Sequence, residues 1–100
     1  MGVRDPVQRT FPVHQQFVRR HGCAVPGCLA RQVDFAHVKT RGAGADDSSG
    51  VPLCRVHHAE EHTIGINTFQ AKYKIDLHAL AAEFVRRTPD KALREMLRDV

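Results

Sequence analysis

The spacing of apolar positions changes several times along the chain, and each change predicts an element. Thr10 can cap a helix, Pro12 suits a first turn, and Val13, Phe17 and Val18 form an apolar stripe that Gly22 interrupts. A helix is therefore predicted from about Pro12 to His21. From Val33 to Val38 the residues are β-branched and partly aromatic, which predicts a strand with Phe35 and His37 on one face and Asp34 and Ala36 on the other. Lys39 to Gly50 is rich in Gly, Asp and Ser and predicts a loop, after which Val51-Pro52-Leu53 resumes an extended run that pairs back on the first strand.

Helical spacing governs the rest. Arg55 to Thr63 predicts a helix ended by Gly65. Asn67 or Thr68 can cap the next one, with Phe69, Tyr73 and Ile75 near its buried side, and Asp76 can cap another through Leu77, Leu80, Ala81, Phe84 and Val85. Pro89 and Asp90 restart a last helix to about Arg98, whose Leu93, Met96 and Leu97 form a thin stripe for the domain or for a second subunit. The predicted class is α+β, one domain over residues 1–100: a basic arm over 1–9, a core unit over 23–68, and C-terminal helices over 69–100.

Composition adds constraints. One hundred residues leave a small core, for which a metal staple is a common aid. No apolar run approaches the roughly 18 residues of a membrane span, and the first twelve residues are mixed and charged, so a cytoplasmic protein without membrane association is expected. The net charge of +4 permits a polyanionic partner but is common in ordinary proteins.

Candidate chemistry concentrates between Leu53 and His62, LCRVHHAEEH. Cys54 and His57 have the spacing of half a structural zinc site, and Cys23 and Cys28, either side of a Pro-Gly turn, can supply the other half. Three Cys would leave one unpaired in a disulfide framework, whereas three Cys and one His complete a tetrahedral shell. His58 and His62, four apart on a helix, can grip a second divalent ion. The alternative partition, with His58 as the fourth zinc ligand in place of His57, stays open.

A strand ending in His, a Gly-rich loop, a second strand and a helix with a His pair resemble the ββα-metal unit of HNH (His-Me finger) endonucleases. The resemblance covers about half the chain and is closest to small phage and prophage HNH-like proteins. It rests on Ala36-His37-Val38, on Gly42-Ala43-Gly44, and on Pro52 through His62 with the pattern Pro-Leu-Cys-x-x-His-His-x-x-x-His. It implies DNA as partner, His37 as general base, and a catalytic Mg²⁺, Mn²⁺, Ni²⁺ or Zn²⁺ on His58 and His62 beside a structural Zn²⁺ on Cys23, Cys28, Cys54 and His57.

Two positions depart from the family pattern. No Asn occurs between His37 and His58, so Asp47 is the first candidate for the family's Asn, with Asp46 and Ser49 behind it. The residue before the base, a metal ligand in many relatives, is Ala36, so Asp47, Asp34, water or phosphate would complete the shell. Lys39, Arg41 and Arg55 flank the site and can contact phosphates, while Arg19, Arg20 and Arg31 surround the Cys knuckle. The oligomeric state is monomer or homodimer. The rival expectation is a non-catalytic zinc-stapled adaptor that binds nucleic acid or protein.

Overall fold

The computed structural model describes residues 10–38 and 47–98. Among them are five helices and a two-stranded antiparallel sheet: α1 (Pro12–Arg19), β1 (Val33–His37), β2 (Gly50–Cys54), α2 (Arg55–Ile64), α3 (Ile66–Tyr73), α4 (Leu77–Arg86) and α5 (Lys91–Arg98). A short 3-10 turn, Asp47–Ser49, leads into β2. The strands pair in a register that sets Ala36 opposite Val51, Asp34 opposite Leu53 and His37 opposite Gly50.

Alternation along β1 gives the hairpin two differently covered faces. Ala36, Val51 and Leu53 join Val25, Val38, Phe69, Leu77 and Ala81 in the buried core, which α3 and the start of α4 close. The other face belongs to α1, where Phe35 meets the edge of His14 with ring centroids 6.0 Å apart. Gly50 lies against this ring: a Cβ there would collide with Phe35, so the absence of a side chain lets the aromatic cross the hairpin. Farther along α4, Phe84 meets Phe17 of α1 edge-on, and α5 is anchored by the fully buried Leu93.

Several helix ends differ from the sequence expectation. Phe11, not Thr10, is the N-cap of α1, and it makes no side-chain cap bond. The helix is started from a distance: Phe11 N donates to Asp47 Oδ2 at 2.6 Å, and His14 N donates to Asp90 Oδ2 at 3.0 Å. Two carboxylates remote in sequence thus take open N–H groups and complement the positive end of the helix. The expected Val13–Phe17–Val18 stripe is also displaced, since Val13 is exposed and the buried face runs through Phe11, His14 and Val18. Positions 11, 14 and 18 share a face at 3.6 residues per turn, and a hydrogen bond between His14 Nδ1 and Thr88 Oγ1 offsets part of the cost of burying the ring there.

Likewise α3 begins at Ile66, directly after Gly65, so neither Asn67 nor Thr68 caps it. Gly65 has φ +89°, which lets one residue end α2 and open α3. Asp76 and Asp90 do cap, through Ala79 N at 2.9 Å and Leu93 N at 3.2 Å.

Candidate metal centre and the histidines around it

Cys23 and Cys28 are brought together by the turn between them. Cys28 N donates to Val25 O at 3.1 Å, and Gly27 adopts φ +84°, the left-handed value that the third residue of a Pro-Gly turn requires. Ala24 N donates to Pro52 O at 2.8 Å and fastens the turn to β2. Cys54 stands where β2 becomes α2 and serves as the helix N-cap, its sulfur accepting from His57 N. The bend at this junction sets Cys54 and His57 facing the turn.

The four potential ligand atoms of Cys23, Cys28, Cys54 and His57 all lie within 4.8 Å of one another. Cys28 Sγ is 3.9 Å from Cys54 Sγ, and His57 Nδ1 is 3.5 Å from Cys23 Sγ and 3.2 Å from Cys54 Sγ. Two sulfurs each about 2.3 Å from a tetrahedral zinc would stand roughly 3.8 Å apart, so the donors have the spacing and softness for that ion. Burial raises the Cys23 thiol, whereas an N–H from Ala30 lowers that of Cys28. The cluster could therefore bind a metal such as zinc, with His57 rather than His58 in the fourth place.

The His57 ring is walled by α3. Tyr73 meets it edge-on at 5.3 Å and Phe69 at 6.4 Å, and Tyr73 OH donates to Glu60 Oε1 at 2.5 Å. Lys72 also donates to Glu60, and Lys72 first and Tyr73 second hold that carboxyl below its ordinary range. This support for a ligand's ring was not foreseen from sequence. The signal was Glu60 three residues after His57 and Tyr73 four after Phe69, spacings that bring side chains together on their helices.

His58 points elsewhere. Its Nδ1 is 3.1 Å from Asp34 Oδ2, and its Nε2 is 3.3 Å from His62 Nε2. A carboxylate at Nδ1 orients the imidazole and leaves Nε2 as the donor atom, the arrangement that supports many metal-binding histidines. Two imidazole nitrogens about 2.0 Å from a common ion would be separated by about 3.3 Å at a tetrahedral angle, so the pair fits a divalent cation. Among the described residues, however, no third Cys, His, Asp or Glu joins this pair as a ligand cluster. Ala36, 2% exposed, is committed to the core, and Asp34 meets the nitrogen that faces away from His62.

His37 is at the end of β1 with 41% of its side chain exposed, and its Nε2 lies 3.1 Å from Oδ1 of the nearly buried Asp47. A carboxylate there selects the Nε2–H form, which makes Nδ1 the basic nitrogen. Phe11 N and Gln15 Nε2 donate to the other carboxylate oxygen of Asp47. Asp47 is thus engaged with His37 and α1. His37 shares its face with Phe35, at 5.3 Å between ring centroids, while His58 bonds Asp34 on the opposite face.

Of the proposed phosphate contacts, Arg55 is exposed, its guanidinium 3.9 Å from Asp34 Oδ1, whereas Lys39 and Arg41, like Asp46, fall outside the described residues. Among the described residues no helix is long and apolar enough to cross a membrane. Compared with protein-family models, with curated proteins and with solved structures, the chain matches none of them.

Proposed function

We propose that the protein is a metal-dependent endonuclease of the HNH type that hydrolyses DNA phosphodiesters with weak sequence preference. The single observation that carries the reading is the half-exposed His37, hydrogen-bonded through Nε2 to a nearly buried carboxylate. In this mechanism Nδ1 takes a proton from water as its oxygen attacks phosphorus, and Asp47 stabilises the imidazolium that forms. The bond from phosphorus to the 3′ oxygen then breaks, leaving a 5′ phosphate. A divalent cation held by His58 and His62, whose partner Asp34 is on the hairpin face opposite His37, would supply Lewis-acid stabilisation of the phosphorane and the departing oxygen for a phosphate that reaches across the strand edge. Arg55 offers a cation for the backbone on the same side as His58, and the closed cluster at Cys23, Cys28, Cys54 and His57 holds the hairpin to α2 as a zinc staple.

A second reading, a zinc-stapled adaptor without cleavage, is favoured by one feature: Ala36 is buried in the core where a third ligand would be useful. Plasmid cleavage separates the two. Wild type and His37→Ala are compared in EDTA and in Mg²⁺, Mn²⁺, Ni²⁺ and Zn²⁺, with metal content measured on the same samples. Nicking or linearisation by the wild type alone, at unchanged zinc content and DNA binding, is the expected result. Equal inactivity in every lane, with one metal per chain, would give the adaptor reading its place. Loss of zinc in His37→Ala would make that residue structural.

A further inference from the structure

The structure assigns Gln15, which lies on α1 outside the hairpin and α2, the role of positioning the His37–Asp47 pair; the assignment rests on the reading of His37 as a general base. Asp47 is 2% exposed, so its carboxylate needs donors from the protein. Among the described residues it has three, divided by oxygen. Phe11 N and Gln15 Nε2 reach Oδ2 at 2.6 and 2.7 Å, and His37 Nε2 reaches Oδ1 at 3.1 Å.

That division has a mechanical consequence. A carboxylate turns easily about its last bond and can exchange its oxygens, and an imidazole bonded to it would follow. Two donors on one oxygen, four residues apart on one side of a helix, oppose that rotation and leave Oδ1 directed at His37. The helix is itself held: Phe11, His14 and Val18 are buried, His14 Nδ1 is 2.8 Å from Thr88 Oγ1, and His14 N donates to Asp90. Phe35 adds a wall, edge-on to both His14 and His37. Orientation of the base is in this way inherited from α1. The main-chain donor of Phe11 survives most substitutions, which makes Gln15 the part of the clamp that mutation can remove.

Gln15→Met, of similar length but without a donor, and Gln15→Lys, with an ammonium in place of the amide, test this in the full-length, metal-loaded protein. Two readouts are taken: the ¹⁵N shifts of the His37 ring nitrogens, which report the tautomer, and the steady-state kinetics of supercoiled-plasmid cleavage. In Gln15→Met the Nε2–H population falls and kcat drops roughly tenfold from lost orientation. KM stays within about twofold, because no substrate contact is removed. Gln15→Lys restores both. A Gln15→Met protein with the wild-type tautomer population overturns the assignment, whatever its rate. So does a change in Gln15→Met that accompanies loss of cooperative unfolding and that Gln15→Lys fails to reverse. If the wild type itself does not cleave, the nuclease reading fails, and the tautomer comparison still decides what Gln15 does.

Discussion

His57 and His58 are adjacent in the chain and end in unlike surroundings. His57 turns Nδ1 toward three sulfurs, behind a wall of Phe69 and Tyr73. His58, about 100° farther round the helix, turns Nδ1 to Asp34 and Nε2 to His62 near the surface. The first environment closes a shell of four donors, and the second leaves a pair with open positions. A closed shell suits a structural ion, whereas open positions are what a catalytic ion needs for water and substrate. The helical twist alone separates these two environments.

The contrast predicts its largest effect at the closed shell. His57→Ala, or chelation of the wild type, is expected to cost about 3 kcal/mol or more, because binding at such a shell is coupled to folding. Thermal denaturation with metal analysis reads this as a large fall in midpoint and loss of about one ion per chain. His58→Ala should retain both the ion and the midpoint. Equal losses in the two variants would break the distinction.

Gly50→Ala tests the hairpin that joins the two sites. The added methyl meets Phe35, which is already flanked by His14 and His37, so about 1–3 kcal/mol of destabilisation is expected from overpacking. Urea denaturation measures it. A neutral result would mean that the Phe35 ring moves freely and does not brace His37.

Acid should act on a third histidine, away from both His57 and His58. Burial lowers the pKa of His14 from 6.5, against the carboxylates of Asp90 first and Asp47 second, which raise it. Below pH 6.5 the unfolded chain accepts a proton that the folded chain refuses. Stability contributed by neutral His14 is therefore present above that pH, and it falls as pH drops from 6.5 toward the folded-state pKa. Urea denaturation of wild type and His14→Gln at pH 7.5 and 5.5 should show the smaller pH dependence in the variant. Identical dependence would place the acid sensitivity elsewhere, the thiolates of the closed shell first.

The smallest effect belongs to the open pair. Asp34→Asn replaces the carboxylate at His58 Nδ1, and loss of such an orienting group should weaken a second metal site roughly tenfold. The folding midpoint should change little, because Asp34 is partly exposed. Calorimetric titration with Mn²⁺ or Ni²⁺ on zinc-loaded protein compares the affinities. Unchanged affinity would detach Asp34 from the pair.

Much of the local structure was legible in the residues. The hairpin, the Gly65 stop and the Asp76 cap follow from period and turn chemistry, which act over a few residues and need no distant partner. The three Cys follow from ligand arithmetic, because tetrahedral coordination demands four donors and three Cys with one His supply them, whereas the choice of His57 over His58 for the fourth place comes from the structure. Less legible was the buried side of α1. Val13 is apolar and exposed, while His14 is polar and buried, and only the late segment carrying Thr88 and Asp90 explains the exchange.

By itself, then, the sequence determined the elements, the pairing of the strands and the three Cys of a four-donor cluster, since each depends on spacing within a short stretch or on a count of side chains. Tertiary structure decided what those side chains face. It divided His57 from His58, put Asp34 behind one imidazole and Asp47 behind another, and drew Gln15 onto the carboxylate beside His37. The physical reason is that hydrogen bonds are short and directional. Their partners come from segments far apart in the chain, so they are fixed only when packing has brought those segments together.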